Sequence, residues 1–441
     1  MMRWKKYINS CIWLGYVFVI FPLLDANGQN QLDSLAIRDS VVLSPESQYT
    51  MLKRSDSLIL PDFYDNWYQF MRHLEALRLG KDTVISIVHL GDSHIQAGHF
   101  SGRIMRLFHQ EFGNAGRGWI APFKLSHSNE PNDYFIKSAV KDWITGRCVQ
   151  NVPKVKIGIG GIGIQTESPL INFDIIITPH NGAGYYFNKV VLYRDEKSAP
   201  MFPTGVYKDS VCLLRAKTIM DVGVIADTLY SKRLIDTLLL HGLYSDVERI
   251  GFGQDSSFKN IYYGFSLTNG RSGILYHAIG VNGAMYINYT HESYVRQLAL
   301  LRPSLLILSL GTNETFGRKF NQAEFTLQVK DFILMVKREM PHTAILLTTP
   351  PECFRKVWIK KQRTYVRNVN TELVAQIIRM VAKEQGLACW DLFTITGGRN
   401  SCREWQKKNL LSRDRIHFTP RGYEEQANLL FRALMKSYNQ R

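Results

Sequence analysis

The pattern of apolar and polar positions divides the chain into three parts, and the first part predicts helix, strand, tight turn and helix. From Tyr64 to Leu79 apolar residues recur at helical spacing, and Gly80 ends the predicted helix. TVISIVHL (83–90) is a continuous apolar, β-branched run, which is typical of a buried parallel strand. After a short polar turn the helical spacing returns over 100–113.

The middle part predicts strands only, and the last part returns to alternating strands and helices. Between about Lys124 and Ser266, short apolar runs are separated by Gly, Pro, Asn and Asp, which predicts an all-β sandwich. We therefore predict an α/β fold, a doubly wound parallel sheet with an inserted all-β sandwich. The predicted hydrolase-type α/β segments are 63–124 and 267–441, and the predicted insert is 125–266. In the last part the predicted strands are 304–310 and 343–350, and the predicted helices are 325–340, 369–386 and 420–438.

The first residues have the composition of an export signal. A basic start, the apolar run 11–24 and small residues before Gln29 predict a signal peptide over 1–28. The apolar run is shorter than the roughly 20 residues of a membrane span, and an uncleaved N-terminal anchor is the alternative. The polar, Ser- and Asp-rich stretch 29–62 predicts a leader. The sequence thus predicts a protein exported to the periplasm or to the cell surface.

Charge and cysteine content narrow the range of partners. The formal net charge of +16 favours anionic surroundings such as cell-wall polymers, although many exported proteins are simply basic. No Lys/Arg run interleaved with aromatic residues is recognised as a nucleic-acid site, and no integral membrane partner is implied. The five cysteines after Cys11 lack CxxC spacing, which weighs against zinc, and their odd number leaves at least one free thiol. They are Cys148, Cys212, Cys353, Cys389 and Cys402.

A glycine-rich segment in the middle part resembles a dinucleotide loop but lacks its context. Gly158, Gly160 and Gly163 satisfy the G-x-G-x-x-G spacing. The residues that follow predict a strand, so no helix presents its amides to a pyrophosphate. We predict a strand or bulge here, and no cofactor and no metal for the protein.

The candidate chemistry centres on GDSH (91–94), at the carboxyl end of the strand 83–90. Ser93 is either a helix cap or a nucleophile, and a serine nucleophile needs a base. His417 is the candidate base, and Asp414, three residues earlier, is placed to hold its imidazole. Thr419 and Pro420 then predict the N-cap and first turn of the last helix.

Oxyanion donors are available in two other segments. Asn313 follows the strand 304–310, so it projects at the same carboxyl edge of the sheet as Ser93. Gly280 and Gly283 permit close approach and expose backbone N–H groups. One amide side chain, one glycine N–H and the N–H of Ser93 itself make a three-donor oxyanion hole.

Other polar and aromatic residues near these segments have two interpretations each. Asp92 is interpreted as a cap of the turn or helix. His94 and His99 either line the cleft or are structural, and we favour the structural role. The glycine-rich loop with Arg117 and Trp119 either flanks a sugar or packs in the core.

Four blocks in order resemble the SGNH/GDSL hydrolase superfamily, which has a flavodoxin-like sheet. They are GDSH (91–94), GVNGA (280–284), GTN (311–313) and DRIH (414–417). The resemblance implies Ser93 as nucleophile, His417 as base and Asp414 as orienting acid. It also implies Gly283 and Asn313 as oxyanion donors beside the Ser93 N–H.

The first block together with FGNAGRGWIAP (112–122) looks like the bacterial peptidoglycan O-acetylesterases, which carry a carbohydrate-binding-like β domain between the first two blocks. This likeness implies a serine esterase that removes O-acetyl groups from a cell-wall glycan, most of all peptidoglycan. An esterase for another acetylated polysaccharide or a lipid ester, and a glycan-binding or acyl-transfer scaffold protein, are the alternatives.

Overall fold

The computed structural model describes residues 57–178, 184–203, 211–219, 223–243, 259–317 and 319–440. The predicted signal peptide and the predicted leader up to residue 56 lie outside these ranges. No helix within them is long and apolar enough to cross a membrane. The strands are β1 (Val84–Gly91), β2 (Gly118–Ile120), β3 (Tyr134–Lys137), β4 (Ile144–Arg147), β5 (Ile162–Thr166), β6 (Leu170–Ile177), β7 (Phe187–Asp195), β8 (Phe202–Pro203), β9 (Val211–Ile219), β10 (Val224–Ile235), β11 (Thr237–Leu243), β12 (Asn260–Thr268), β13 (Gly273–Gly280), β14 (Leu305–Ser309), β15 (Ala344–Thr348), β16 (Phe354–Ile359), β17 (Gln362–Arg367) and β18 (Ala388–Trp390). The helices are α1 (Asp65–Arg78), α2 (Ser93–Gln96), α3 (His99–Phe112), α4 (Tyr286–Tyr289), α5 (Glu292–Ala299), α6 (Gln322–Glu339), α7 (Asn370–Gln385), α8 (Leu392–Ile395), α9 (Ser401–Lys407) and α10 (Pro420–Asn439), with a 3₁₀ turn at Asn313–Phe316.

A five-stranded parallel sheet in the order β13-β1-β14-β15-β18 forms the centre of the α/β part. Counted along the chain within this sheet, the order is 2-1-3-4-5, the flavodoxin-like order. The predicted doubly wound parallel sheet is thereby confirmed. The strand order reverses between β1 and β14, and ligands of such sheets bind at the carboxyl ends of the strands at this reversal. Both Ser93 and Asn313 come directly after these two strands.

The sequence predicts the central strands well because they are buried on both faces. In β1, Ile87, Val88 and Leu90 are 0% exposed, as is every residue of Leu305–Leu308 in β14. A strand that is covered on both sides needs apolar residues at successive positions rather than at alternate ones. The five predicted helices are also present, as α1, α3, α6, α7 and α10. Thr419 Oγ1 accepts a hydrogen bond from the N–H of Gly422 at 3.2 Å, so the predicted N-cap of α10 is confirmed.

In the residues of the middle part that the structure describes, two antiparallel sheets confirm the predicted inserted β sandwich. One has the order β4-β5-β12-β7-β10-β9, with β2 also paired to β12, and the other has the order β3-β6-β11-β8. Aromatic rings join them, since Phe173 of β6 lies 5.1 Å from Tyr262 and 5.5 Å from Phe265, both of β12, measured between ring centroids. Pairing in this part begins at Gly118, on β2.

The glycine-rich segment of the middle part leads directly into strand β5. The structure therefore has a turn and a strand at the position that resembles a dinucleotide loop. The N–H of Gly161 donates to the carbonyl of Gly158, and Gly161 has a φ of +70°. A Cβ at position 160 would lie 2.8 Å from the indole nitrogen of Trp119. These glycines are therefore explained by a tight turn packed against aromatic rings.

The hydrophobic pattern does not predict the hairpin β16–β17, whose strands, among the described residues, pair with each other alone. Its exposed positions are largely basic, so neither a continuous apolar run nor an apolar alternation marks it.

A substitution at Gly280 is expected to destabilise the contact between the end of β13 and the turn that carries Ser93. A Cβ at position 280 would lie 2.6 Å from the carbonyl oxygen of Asp92 and would also clash with the backbone nitrogen of Gln96. We expect Gly280→Ala to lower the free energy of unfolding by about 1–3 kcal/mol, measured by urea denaturation. Gly317→Ala is the control, because among the described residues, its chain neighbours aside, the nearest atom to its Cβ position is the carbonyl oxygen of Glu314 at 3.7 Å. Equal midpoints for both variants would contradict this expectation.

Candidate active site

The structure brings Ser93, His417 and Asp414 into one chain of hydrogen bonds. Ser93 is the first residue of α2, and its Oγ lies 2.8 Å from Nε2 of His417. Nδ1 of the same imidazole lies 2.6 Å from Oδ2 of Asp414. The carboxylate accepts the Nδ1–H proton, which leaves Nε2 as the acceptor for the serine hydroxyl. Ser93 and His417, 324 positions apart in the chain, are thus brought together in the order that the predicted nucleophile, base and orienting acid require.

Asp414 also shapes the loop that carries the histidine. Its Oδ1 accepts hydrogen bonds from the N–H groups of Ile416 at 2.9 Å and His417 at 3.0 Å. Between Asp414 and Ile416, Arg415 adopts a positive φ of 59°. The loop is closed behind this turn, because the N–H of Ser412 donates to the carbonyl of His417 at 2.8 Å. One carboxylate oxygen therefore holds the backbone and the other holds the imidazole, so the histidine is oriented before any substrate binds.

The same contacts set the charges of the pair. Burial raises the pKa of Asp414, but the hydrogen bonds from the His417 side chain and from two backbone N–H groups outweigh it and hold that pKa well below its usual range. The hydrogen bond to Asp414 raises the pKa of His417 above its ordinary value of 6.5, against an opposing effect of burial. The imidazole is consequently a stronger base than an exposed histidine.

The predicted oxyanion donors line one open pocket of about 520 Å³ together with Ser93. Within the described residues, the backbone N–H groups of Ser93 and Gly283 have no hydrogen-bond acceptor. Gly283 has a φ of +87°, a conformation that favours glycine. The side-chain nitrogen of Asn313 donates to Oδ2 of Asp92 at 3.1 Å and to the carbonyl of Ala284 at 2.9 Å. The structure places the three groups together, and their role as oxyanion donors stays a prediction.

Asp92 connects the turn that carries Ser93 to Asn313. Its Oδ1 accepts from the N–H of His94 at 2.9 Å, so the predicted capping role is confirmed. The sequence did not predict that the second oxygen accepts from Asn313. Burial raises the pKa of Asp92 to about 7, and the hydrogen bond from the His94 N–H and the charge of His417 act in the opposite direction. The aspartate thus orients both the serine turn and the amide that faces it.

Asp92→Asn is expected to disturb the orientation of Asn313 while leaving Ser93 and His417 in place. The Asp92 carboxylate accepts hydrogen bonds from the His94 N–H and from the Asn313 side chain. Asparagine at position 92 keeps one acceptor oxygen, but its NH₂ group then faces the other of these two donors. We expect kcat on a small acetyl ester to fall roughly 10- to 100-fold with little change in KM. Asp331→Asn, on the exposed face of α6, is the control. An unchanged kcat for Asp92→Asn would show that Asn313 needs no such positioning.

The two histidines that follow the serine differ in their surroundings. His94 Nδ1 lies 2.8 Å from the hydroxyl of Tyr423, and the His94 ring lies 5.1 Å from that of His417. Burial, together with the charge of His417, lowers the pKa of His94 to about 3 against the effect of Asp414, so this imidazole is neutral. His99 lines the pocket and stacks on Tyr423, with 6.2 Å between ring centroids. His94 therefore supports the site from behind, and His99 contributes to the pocket wall.

A polar cluster beside the pocket has no marker in the sequence. Gln96 donates to Ser128 Oγ at 2.7 Å and to the carbonyl of Asn129 at 2.6 Å. Its side-chain oxygen accepts from the N–H of Asn282 at 2.7 Å, and Asn282 Nδ2 in turn donates to Asn129 Oδ1 at 2.6 Å. Asn129 and Asn282 both line the pocket. Amide side chains that are held in this way can accept and donate hydrogen bonds to the hydroxyl groups of a sugar.

The glycine-rich loop after α3 does not contribute to the pocket. Trp119 is 1% exposed and Arg117 is 2% exposed. Arg117 forms a buried ion pair with Asp133. Packing, the second of the two interpretations, explains these residues.

Of the cysteines, Cys148, Cys353, Cys389 and Cys402 are buried free thiols, and the side chain of Cys212 lies outside those that the structure describes.

The fold and the site define the class. A flavodoxin-like sheet that presents a hydrogen-bonded serine, histidine and aspartate at its carboxyl edge is the arrangement of a serine hydrolase. Residues 244–425 match the sequence profile of the GDSL-like lipase/acylhydrolase family. This match includes Gly283, Asn313, Asp414 and His417. It leaves out Ser93, which the antiparallel part separates from the rest.

Solved structures with the same fold include one that spans both parts of the chain. A structure described as a peptidoglycan O-acetylesterase in action has a TM-score of 0.66 and 20% identity, and the match covers 84% of this chain and 96% of the other. A GDSL-like lipase from Bacteroides thetaiotaomicron has a TM-score of 0.28 and 16% identity, with 37% of this chain and 76% of the other covered. A carbohydrate esterase of family 3 from Talaromyces cellulolyticus has a TM-score of 0.29 and 14% identity, with 38% and 73% covered. No curated protein matches the chain.

Proposed function

We propose that the protein is an exported serine esterase that removes O-acetyl groups from a cell-wall glycan, most of all peptidoglycan. The observation that carries the proposal is the hydrogen-bonded chain of Ser93, His417 and Asp414 beside the unengaged N–H groups of Ser93 and Gly283. A hydroxyl with a base at 2.8 Å and free donors in the same pocket has what acyl transfer requires.

In the first half of the reaction, Ser93 Oγ attacks the acetyl carbonyl carbon while His417 Nε2 takes the hydroxyl proton. Asp414 stabilises the imidazolium that forms, and the carbonyl oxygen becomes an oxyanion held by the N–H groups of Ser93 and Gly283 and by the Asn313 amide. When the tetrahedral intermediate collapses, the bond to the sugar oxygen breaks and His417 protonates that oxygen. The products of this half are the free sugar hydroxyl and an acetyl group on Ser93.

In the second half, water attacks the acetyl-enzyme. His417 takes a proton from the water, the same donors hold the new oxyanion, and acetate leaves as the proton returns to Ser93 Oγ. Asn313 turns its amide towards the oxyanion in exchange for one of its two present acceptors, Asp92 or Ala284. Apart from the ester and the attacking water, the groups used in these steps are side chains and backbone N–H groups of this chain.

The substrate class rests on three observations. The neighbour that spans both parts of this chain bears the name of a peptidoglycan O-acetylesterase, and its likeness shows the fold. The pocket is open, and the amides of Asn129 and Asn282 line it beside Ser93. The predicted signal peptide over 1–28 supports export to the periplasm or cell surface, where such glycans occur. We assign the esterase to 63–124 and 267–441 and a glycan-holding role to 125–266.

The test is the release of acetate from O-acetylated peptidoglycan by the protein without residues 1–28. We expect release from peptidoglycan and from small acetyl esters, and falling activity as the acyl chain lengthens. Acetate release from an acetylated xylan in preference to peptidoglycan would change the substrate but keep the enzyme class. Activity that rises with acyl length would indicate a lipid esterase. Glycan binding without any ester hydrolysis would favour a scaffold protein.

A further inference from the structure

The hairpin β16–β17 is a basic, exposed element of the α/β part that the proposed reaction does not use. Between Arg355 and Arg367 the sequence has six Lys or Arg residues and no Asp or Glu. The strands pair from Phe354 with Arg367 to Ile359 with Gln362, and they pair with no other strand that the structure describes. Six residues of extended chain carry the tip about 20 Å from the base of the hairpin.

One face of the hairpin is built of alternating cations and aromatic rings. Lys356 stands opposite Tyr365, and Trp358 stands opposite Arg363. Because side chains alternate between the faces of a strand, these four lie on the same face. The Arg363 guanidinium lies 5.3 Å from the Trp358 ring, and Lys356 Nζ lies 5.4 Å from the Tyr365 ring. Trp358 is 68% exposed, so this cationic face is open to a partner.

The positive charge of the hairpin is not neutralised by the protein. Of its basic residues, Arg367 pairs with Glu352 and Glu372 at the base. Within the part of the chain that the structure describes, no carboxylate lies within ion-pair distance of the others nearer the tip. Clustered charges of one sign without counter-charges attract an anionic partner. The unneutralised residues are Arg355, Lys356, Lys360, Lys361 and Arg363.

The tip of the hairpin keeps lysines where the backbone favours other residues. Lys360 and Lys361 form the two-residue turn, with φ of +48° and +64°. Turns with two left-handed positions favour Asn-Gly, because side chains with a Cβ are strained there. Strained residues of this kind are typical of sites at which the side chain has a function.

The cationic face continues into the loop that holds the catalytic histidine. The N–H of Phe354 donates to the carbonyl of Arg415 at 2.9 Å, and the Tyr365 hydroxyl donates to the carbonyl of Arg413 at 3.3 Å. The Arg415 guanidinium lies 4.3 Å from the Tyr365 ring, two residues before His417. A chain bound along this face therefore extends towards the loop that carries His417.

We propose that the cationic face of the hairpin binds the glycan substrate and selects glycans that carry carboxylate groups. Lysine and arginine bind the carboxylates, while Trp358 and Tyr365 offer flat surfaces to the sugar rings. The proposal rests on the proposed function, because it takes the ester-bearing glycan as the occupant. Anionic lipid and nucleic acid are also negatively charged and are the alternative occupants of this face. The continuity of the face with the loop of His417 favours the substrate of that site over either.

The first test replaces the strained lysines by the residues that the turn favours. Lys360→Asn with Lys361→Gly removes two charges and relieves the backbone, so the variant is expected to unfold at the same temperature as the wild type or higher. We expect its KM for soluble O-acetylated peptidoglycan fragments with carboxylate-bearing stem peptides to rise roughly tenfold at low salt. kcat on these fragments and turnover of p-nitrophenyl acetate are expected to stay unchanged. The difference in KM is expected to vanish at 1 M salt, where the screening length is about 3 Å.

A matched pair of single variants tests whether the face matters. Arg363→Gln removes a charge from the cationic face, and Arg355→Gln removes one from the opposite face, where Val366 is its cross-strand neighbour. We expect KM for the peptidoglycan fragments to rise several-fold for the first variant and to stay unchanged for the second. Equal effects of both variants would overturn the assignment to one face.

A binding measurement separates this proposal from the esterase assignment. Ser93→Ala with the intact hairpin is titrated with de-O-acetylated peptidoglycan fragments, with neutral chitin oligosaccharides and with vesicles of anionic lipid. The same three titrations are repeated with the turn lysines replaced. Tighter binding of the carboxylate-bearing fragments, lost with the lysines, supports the proposal even if no ester is hydrolysed. Equal affinity for both glycans, or an unchanged affinity without the lysines, would overturn it while leaving the esterase untouched. Loss of binding only to vesicles of anionic lipid would assign the face to a membrane and overturn it as well.

Discussion

Replacing Ser93 by alanine is expected to lower kcat/KM for acetyl esters by about 10⁴- to 10⁶-fold. The hydroxyl is the only group of the hydrogen-bonded chain that can form the acetyl-enzyme, and its Oγ lies 2.8 Å from the base. Without this hydroxyl, His417 can deprotonate only water. A water molecule is less precisely positioned than a hydroxyl that belongs to a residue of α2. The pocket and its donors remain, so the affinity for the glycan is expected to persist.

Acetate release from O-acetylated peptidoglycan and from a small ester measures this effect. Ser138→Ala, in the antiparallel part, is the control, and thermal unfolding of each variant excludes a loss of fold. Full activity of the Ser93 variant on both substrates would remove Ser93 from the mechanism. Retained activity on one substrate alone would point to a second hydrolytic site in the preparation.

Replacing Asp414 by asparagine is expected to lower kcat by about 10⁴-fold. The amide still accepts from the backbone N–H groups of Ile416 and His417, so the loop keeps its shape. Asparagine carries no charge to stabilise the imidazolium, and its NH₂ group can turn the imidazole to the wrong tautomer. The variant therefore separates the electrostatic role of Asp414 from its role in the loop.

The pH profile of Asp414→Asn tests whether Asp414 acts by raising the pKa of His417. His417 acts as a base only when neutral, so wild-type kcat/KM is expected to rise with pH along a limb that lies above pH 6.5, the ordinary pKa of histidine. Asp414 raises the pKa of His417 by stabilising its charged form, so its removal lowers that pKa and moves the limb to lower pH. Asp331→Asn is the control, with an unshifted limb. A limb that stays in place in Asp414→Asn would mean that another group sets it.

Much of the fold follows from local rules that the chain obeys over short distances. The strands β1 and β14 are continuous apolar runs because both of their faces are covered, and Thr419-Pro420 begins α10 because a hydroxyl satisfies its first N–H groups. The turn after β1 places Ser93 at the carboxyl edge. Asp414 lies three residues before His417, close enough to bind its imidazole within one loop. Motif and local structure therefore predict these residues together.

The remaining features depend on contacts between residues far apart in the chain. Asp92 and Asn313 follow the neighbouring strands β1 and β14, and Asp92 accepts a hydrogen bond from the Asn313 side chain. Asn129 accepts a hydrogen bond from Asn282 because the loop before β3 packs beside the pocket. The hairpin β16–β17 has no apolar period to reveal it, and its side chains become one cationic face only when the register is set.

The sequence by itself determined the class of sheet and the residues of the serine, histidine and aspartate chain. Both depend on short-range patterns, namely the apolar runs of buried strands and the spacing of polar residues within one motif. Only the tertiary structure decided what surrounds them: the acceptors that now hold Asn313, the neutral His94 behind His417, and the basic face that leads to their loop. These features arise from the packing of distant segments, and hydrogen-bond partners that lie hundreds of residues apart leave no periodic signal in a single chain.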